Sequence, residues 1–235
     1  MFFVATLRPL IIAHRGASAE QPENTLVAFR RALALKVDGI ELDVHVTRDG
    51  VAVVFHDDEL QRLTGERGPL AARTWRELQK LRVRGVAPIP RLVDVLRLTR
   101  DRCVVQIEIK AGVPVAPIVR AVRAARAADA VILASFSVEI VRVARELAPA
   151  IPRMLISEGR ASPAALARQL ASCDAAGLSV NHRAIRSAAW LRGITSRGFA
   201  VWTWTVNDAR AARRLAGWGV AGLLGDNPAL LRRVV

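Results

Sequence analysis

The sequence predicts a (β/α)8 barrel, the TIM-barrel fold, with a small insertion after the second strand. Short apolar segments rich in β-branched residues alternate with longer alanine- and arginine-rich segments of helical period, which is typical of a parallel α/β fold. Eight such strand segments occur within 235 residues, close to the length of about 250 residues typical of this barrel. Residues 1–235 are therefore expected to form one domain, with an open doubly wound sheet as the less favoured fold.

The elements follow in order from this alternation. The apolar opening is interrupted by Arg8 and Pro9 and has no small-residue cleavage site, so it predicts a first strand at Leu10–Ala13 and no signal peptide. Further strands are expected at Gly39–Asp43, Val104–Ile109, Val131–Ala134, Arg153–Ile156, Ala175–Ser179, Ala200–Trp204 and Val220–Leu224. Helices are expected at Thr25–Leu35, Leu92–Arg100, Ala116–Ala127, Val138–Leu147, Pro163–Ala171, Ser187–Ser196 and Ala209–Gly217.

The insertion, about residues 45–90, interrupts the alternation between the second strand and its helix. It contains a strand-like run, Val51–Phe55, directly after Arg48-Asp49-Gly50. A turn this short cannot make a parallel crossover, so the run is expected to return antiparallel to an extension of the second strand. Counting back from the turn places His56 beside Leu42 and Asp43.

Composition and charge exclude several classes of protein. With 52% hydrophobic and 24% charged residues, the chain is too apolar for disorder. The net charge is +14, but the cations are spread from Arg8 to Arg233, so no nucleic-acid partner is expected. No apolar run reaches the roughly 20 residues that cross a bilayer. Cys103 and Cys173 cannot form a disulfide framework, so buried thiols in a reducing, cytoplasmic compartment are expected.

Acidic side chains are grouped on two predicted strands. Glu41 and Asp43 are two residues apart and share a face, and Glu108 shares a face with Lys110. Carboxylates at the carboxyl ends of barrel strands are natural ligands for a hard divalent cation. An internal salt bridge and a structural Glu108–Lys110 pair are the alternative interpretations.

Two histidines and an arginine are expected near these acids. His14 and Arg15 end the first strand, and His56 ends the returning one. Imidazoles suit proton transfer near neutral pH, and a guanidinium suits a phosphate group. His45 and His182 lack such neighbours and are interpreted as structural or surface residues.

Two loops contribute further candidates at the same rim. Glu23 and Asn24 precede the first helix, where Asn24 or Thr25 is expected to cap it, and both could steady a metal or the substrate. Trp204 ends the seventh barrel strand and is expected to wall an apolar part of the substrate pocket, with Asn207 as a polar contact. Trp202 is expected in the core.

Eight short segments form a specific pattern in order along almost the whole chain. They are His14-Arg15-Gly16, Pro22-Glu23-Asn24-Thr25, Ile40-Glu41-Leu42-Asp43-Val44, Thr47-Arg48-Asp49-Gly50, Val53-Val54-Phe55-His56-Asp57, Ile89-Pro90, Ile107-Glu108-Ile109-Lys110 and Trp204-Thr205-Val206-Asn207. Together they resemble the glycerophosphodiester phosphodiesterase family. The chain departs from that family's pattern at Arg91, where the family often has threonine. Near the end of the chain, Gly225-Asp226-Asn227-Pro228 resembles the family's usual Thr-Asp-x-Pro, with glycine in place of threonine.

The resemblance implies hydrolysis of a small glycerophosphodiester to sn-glycerol 3-phosphate and an alcohol, assisted by one divalent metal ion, Mg2+ or Ca2+. By position it implies three metal ligands (Glu41, Asp43 and Glu108), an acid/base pair (His14 and His56) and two phosphate binders (Arg15 and Lys110). Which histidine acts as the acid, and whether water or the substrate's own hydroxyl attacks first, both stay open.

Two rival functions agree with parts of the sequence. In the first, the substrate is an acylated phosphodiester, as for a lysophospholipase D or the related sphingomyelinase D enzymes; Phe2, Phe3 and the basic surface would suit peripheral contact with a membrane. In the second, the chain is a non-catalytic binder of nucleic acid or anionic lipid. The complete set of acids, histidines and lysine argues against the second, because a pure binder does not require it.

Overall fold

A closed barrel of eight parallel strands forms the centre of the computed structural model, which describes residues 8–235. Residues 1–7, including Phe2 and Phe3, lie outside the described residues. The strands of the described part are β1 (Leu10–His14), β2 (Gly39–Val46), β3 (Ala52–Val54), β4 (Arg82–Val83), β5 (Ala87–Pro88), β6 (Val104–Ile109), β7 (Val131–Ser135), β8 (Arg153–Ser157), β9 (Gly177–Asn181), β10 (Ala200–Trp204) and β11 (Gly222–Gly225). Because β1 pairs with both β2 and β11, the sheet closes. The predicted (β/α)8 barrel is confirmed.

The helices surround the barrel. Those of the described residues are α1 (Leu26–Ala34), α2 (Gln61–Thr64), α3 (Trp75–Leu78), α4 (Leu92–Thr99), α5 (Val115–Ala125), α6 (Val138–Leu147), α7 (Pro163–Ser172), α8 (Ala188–Thr195), α9 (Ala209–Trp218) and α10 (Pro228–Val234). All seven predicted helices are present, with ends that differ by two residues at most. The sequence reading missed α2 and α3, which are too short to show a helical period, and α10, although Pro228 and the capping side chain of Asn227 mark its start.

The core has an inner and an outer layer. Inside the barrel, Trp202 is fully buried, as expected, among aliphatic side chains that include Ile12, Ile132 and Met154. Space there is tight: a Cβ atom on Gly222 would lie 2.8 Å from the indole ring of Trp202. The outer layer lies between strands and helices and takes the opposite side chains of each strand.

The insertion packs on the barrel through β3. This strand runs antiparallel to the end of β2, with Val44 opposite Val54 and Val46 opposite Ala52. The backbone N–H of Phe55 donates to the carbonyl of Asp43 at 3.0 Å, so His56 follows at the predicted position. The rest of the insertion has its own small apolar core, formed by Val53, Phe55, Leu60, Leu63, Leu70, Leu78, Val83 and Ile89.

Candidate active site

A cavity of about 250 Å3 opens at the carboxyl ends of the barrel strands, the position of active sites in this fold. Seven of the predicted site residues line it: His14, Arg15, Glu41, His56, Glu108, Lys110 and Trp204. The buried Asp43 lies against them. Glu23, Asn24 and Asn207 are not among the lining residues and contact the site from behind or beside it.

Three carboxylates gather at the floor of this cavity. Glu41 and Asp43 project from β2, and Glu108 lies opposite Asp43 on the neighbouring strand β6. One oxygen atom of each carboxylate lies within 4.8 Å of the others. The predicted grouping of these acids on one face is confirmed.

Asp43 is the most heavily contacted of the three. Its carboxylate lies 2.6 Å from Lys110 Nζ and 3.2 Å from Arg15 Nε, and it accepts a hydrogen bond of 2.9 Å from Asn24 Nδ2. Burial alone would raise the pKa of Asp43, but Lys110 and Arg15 outweigh burial and hold that pKa below its ordinary value. Asn24 reaches it from a left-handed backbone conformation (φ 59°), while Thr25 caps α1.

Fewer neighbouring groups offset the negative charge of Glu41. Its carboxylate accepts a hydrogen bond from the backbone N–H of Arg15 at 3.1 Å and lies 3.9 Å from His14 Nε2. Burial and the neighbouring charge of Asp43 raise its pKa above the ordinary value. Of the three carboxylates, Glu41 and Asp43 are buried and Glu108 is half-buried. A crowded set of oxygen donors whose negative charges are only partly balanced suits a hard divalent cation, so the residues fit the metal that the sequence predicts.

The imidazole of His14 contacts the carboxylate of Asp226, which directly follows the last barrel strand, β11. Its Nδ1 lies 2.7 Å from Asp226 Oδ1. Asp226 is itself fixed, because its other oxygen and its backbone N–H bind the side chain of Asn207, and Ser18 Oγ donates to it at 3.2 Å. Burial alone would lower the pKa of His14, but Asp226 and Glu41 raise it above its ordinary value. Burial alone would raise the pKa of Asp226, but His14 and Asn207 lower it to about 2.

His56 also has a carboxylate partner at Nδ1, and the insertion provides it. Its Nδ1 lies 2.6 Å from Asp57 Oδ1, and Arg62 on α2 donates to both oxygens of Asp57. Hydrogen bonds from Arg62 and His56 lower the pKa of Asp57 to about 2. Arg62 also donates to Glu23, which accepts a further hydrogen bond of 2.8 Å from Arg15. The insertion and the barrel loop are thus linked behind His56.

The other two histidines lie outside the cavity lining. His45 is buried, with Nε2 3.1 Å from the carbonyl oxygen of His56, so it supports the backbone of the returning strand. His182 follows β9 in a half-buried position, beside Arg183 and Arg214. Both positions agree with the structural interpretation of these residues.

The rest of the cavity lining combines aromatic, aliphatic and uncharged polar side chains with one further acidic group. Trp204 lines it as predicted and meets Phe136 edge to face, with ring centroids 5.9 Å apart. Ile156 and Leu224 add aliphatic surface, and Glu158 follows β8 at the same wall.

Sequence reasoning missed Asp226, Arg62, Phe136 and Glu158. Asp226 stood in a segment that resembled the family's terminal motif, and this was the one available signal. The other three stand alone in loops or short helices, without a neighbouring pattern that indicates chemistry.

Comparison with known proteins places this geometry in a family. Residues 14–230 match the model of the glycerophosphoryl diester phosphodiesterase family. A glycerophosphodiester phosphodiesterase of Caldanaerobacter subterraneus subsp. tengcongensis is 32% identical over 97% of this chain and 98% of its own length. A glycerophosphodiester phosphodiesterase of Bacillus subtilis is 29% identical over 97% of this chain and 86% of its own length.

Solved structures agree with the sequence comparison. The crystal structure of a glycerophosphodiester phosphodiesterase from Agrobacterium tumefaciens is 29% identical, with a TM-score of 0.86 over 96% of this chain and all of that one. A phosphodiesterase of Oleispira antarctica, solved in complex with the product sn-glycerol-3-phosphate, is 27% identical, with a TM-score of 0.90 over 97% of this chain and 96% of that one.

Fold and site therefore define a TIM-barrel hydrolase of phosphodiesters. The chain belongs to the glycerophosphoryl diester phosphodiesterase family and is a glycerophosphodiester phosphodiesterase.

Proposed function

We propose that this enzyme hydrolyses glycerophosphodiesters to sn-glycerol 3-phosphate and an alcohol by acid/base catalysis with His14 and His56, and that it requires one divalent metal ion. The observation that carries the proposal is the pairing of two histidines, each with a carboxylate on Nδ1, beside one acidic cluster in one cavity. Product binding by the Oleispira antarctica relative supports the same reaction.

Glu41, Asp43 and Glu108 would hold the metal, which we propose is Mg2+ or Ca2+ because all three ligands are carboxylates. When bound, such an ion polarises phosphoryl oxygens and offsets the negative charge that grows on them. Lys110 pairs with both Asp43 and Glu108. Arg15 pairs with both Asp43 and Glu23. The two cations also place positive charge at the cavity surface, where we propose that they bind the phosphate.

The histidines would move the protons. In each of them the carboxylate at Nδ1 fixes the ring and favours a proton on that atom, which leaves Nε2 as the exchanging atom. One imidazole removes the proton of the attacking hydroxyl, and the other protonates the departing alkoxide. Asp226 and Asp57 give the two rings equivalent support, so the roles are proposed for the pair.

Trp204 would wall the part of the cavity that takes an organic group of the substrate, and Asn207 would act through Asp226. Glu23 and Asn24 would hold Arg15 and Asp43 in place. We further propose that the chain acts as one catalytic domain in the cytoplasm, where Cys103 and Cys173, both free thiols, stay reduced.

The direct test is release of sn-glycerol 3-phosphate from glycerophosphocholine by the purified protein. Turnover that EDTA removes, and that Mg2+ or Ca2+ restores, would support the proposal. Turnover that survives complete metal removal would contradict the metal requirement. Activity only on lysophosphatidylcholine or sphingomyelin would instead establish the lysophospholipase D or sphingomyelinase D-like alternative.

A further inference from the structure

The cavity is lined by two chemically different groups of side chains. His14, Arg15 and Lys110 contact the acidic cluster, where an anionic phosphodiester would bind. The other group comprises the rings of Phe136 and Trp204 and the carboxylate of Glu158, together with aliphatic and uncharged polar side chains: Ile156, Leu224, Gln106, Ser179 and Thr205. A ligand that contacts both groups therefore has an anionic part and a part of different character.

Glu158 differs from the carboxylates of the acidic cluster in its charge partners. Its Oε2 accepts a hydrogen bond of 2.9 Å from Asn181 Nδ2, and within residues 8–235 its carboxylate has no ion pair. By contrast, Asp43 in the acidic cluster lies within ion-pair distance of Lys110 and Arg15. In a chain with 35 lysines and arginines, a carboxylate at a cavity wall without a cationic partner leaves a place for a cation from outside.

The two aromatic rings favour the same kind of ligand. Phe136 and Trp204 meet at 77°, with centroids 5.9 Å apart, and Phe136 is 47% exposed. A singly exposed apolar side chain is common in proteins, but Phe136 lies in the cavity lining beside Trp204, and aromatic side chains are typical of ligand pockets. Ring faces attract organic cations, and quaternary ammonium groups are commonly recognised by aromatic side chains.

We propose that Glu158, Phe136 and Trp204 form a subsite for a cationic alcohol, so that the enzyme prefers diesters of ammonium alcohols such as choline over diesters of neutral alcohols. This inference rests on the proposed function and names the substrate class for it. In such diesters a short ethylene link separates the ammonium group from the phosphate. The anionic part would then meet the cationic side chains beside the acidic cluster, and the ammonium group would meet Glu158 and the two rings.

The first test compares two diesters that differ only in charge. Glycerophosphocholine carries a quaternary nitrogen, and the glycerophosphoryl ester of 3,3-dimethylbutanol has carbon in its place. We expect wild-type kcat/KM to favour the choline diester about tenfold, within the range of aromatic and charge contacts to ammonium groups. Glu158→Gln, which keeps an acceptor for Asn181, and Phe136→Leu, which keeps apolar volume, should each lower that ratio, mainly through the KM of the choline diester.

The matched control is Glu139→Gln on α6, an exposed residue outside the cavity lining that undergoes the same change of charge. The choline preference should be unchanged in this variant. Equal kcat/KM for both diesters in the wild type, or a preference that Glu158→Gln and Phe136→Leu leave intact, would overturn the inference.

The second test does not need turnover. Calorimetric titration with phosphocholine and with 3,3-dimethylbutyl phosphate should show tighter binding of phosphocholine to the wild type and similar binding of both to Glu158→Gln. If neither diester is hydrolysed, the proposed function fails, and this titration alone decides on the subsite. Equal affinities for the two monoesters, or no binding of either, would then refute the subsite as well.

Discussion

Glu41 and Asp43 illustrate how two neighbouring carboxylates acquire different properties. Both are buried, but Asp43 lies against Lys110, Arg15 and Asn24, whereas Glu41 has only a backbone N–H and a more distant imidazole. The pKa of Asp43 is therefore lowered and that of Glu41 is raised. Without a cation the cluster is strained by like charge, and a divalent ion would relieve it.

Replacing Glu41 by glutamine should remove metal-dependent turnover without unfolding the protein. Because the change relieves charge crowding, the unfolding temperature in EDTA should be equal to or above that of the wild type. Added Mg2+ or Ca2+ should raise the unfolding temperature of the wild type and leave Glu41→Gln unchanged. Differential scanning calorimetry measures both effects, with the exposed Glu146→Gln as the control. Wild-type turnover in folded Glu41→Gln would contradict the assigned metal site.

Asp226 should act as a positioning residue for His14. Asp226→Asn keeps a hydrogen-bond partner for the imidazole but no longer favours the protonated Nδ1, so kcat is expected to fall roughly 100-fold with little change in KM. Steady-state kinetics on glycerophosphocholine test this expectation. The exposed Asp129→Asn should leave kcat unaltered. If Asp226→Asn matched the wild type in kcat, His14 would not depend on this carboxylate.

Among the secondary-structure elements, the short helix α2 has the most direct connection to the site. Arg62 on this helix binds Asp57 behind His56 and also binds Glu23 in the loop before α1. The insertion is therefore fixed to the barrel by charged hydrogen bonds as well as by the β2–β3 pairing. This attachment supports His56 through Asp57, as the loop after the last barrel strand supports His14 through Asp226.

Arg62→Met should weaken this attachment in a pH-dependent way. The pKa of Asp57 in the folded protein is about 2, below its ordinary value of 3.8, so its pairing with Arg62 stabilises the fold above about pH 3.8 and is lost as pH falls toward 2. Urea unfolding should therefore give Arg62→Met a lower free energy of unfolding than the wild type at pH 5, and the difference should be smaller at pH 3. If the difference in free energy were the same at both pH values, the pairing of Arg62 with charged Asp57 would not be its cause.

The same variant should lower kcat/KM about tenfold, because His56 loses part of its support. Arg67→Met, in the same insertion and without an ion pair in residues 8–235, is the matched control. Equal losses in both variants would indicate a general effect of the insertion on activity.

Over the whole molecule, the barrel interior constrains which side chains the strands can carry. Trp202 fills the space that Gly222 leaves open on the neighbouring strand. Interiors are packed closely enough that even one added methyl group requires its neighbours to move.

Gly222→Ala should therefore destabilise the protein by about 1–3 kcal/mol. Gly217→Ala provides a control of opposite sign, because Gly217 lies in α9 with nothing within 4 Å of an added Cβ. There the substitution should stabilise by about 0.5–1 kcal/mol. Chemical denaturation measures both. A neutral Gly222→Ala would show that the indole ring can move at little cost.

The barrel and most of the site could be predicted because both depend on local patterns. Alternation within β2 and β6 placed Glu41, Asp43 and Glu108 together, and the short turn before β3 set the register of His56. Partners that are distant in the chain could not be predicted in this way. Asp226 is 212 residues from His14, and Arg62 reaches Glu23 only because the insertion folds back over the rim.

The pairing of the first and last barrel strands also determines when, during synthesis of the chain, the protein can become fully active. A chain emerging from the ribosome has the acidic cluster and both histidines long before Asp226 appears, and β1 has no second neighbour until β11 follows. Full activity should therefore arise only in the final stage of translation. A prematurely terminated polypeptide that lacks the last strand would keep the proposed catalytic groups and still lack the contact between His14 and Asp226.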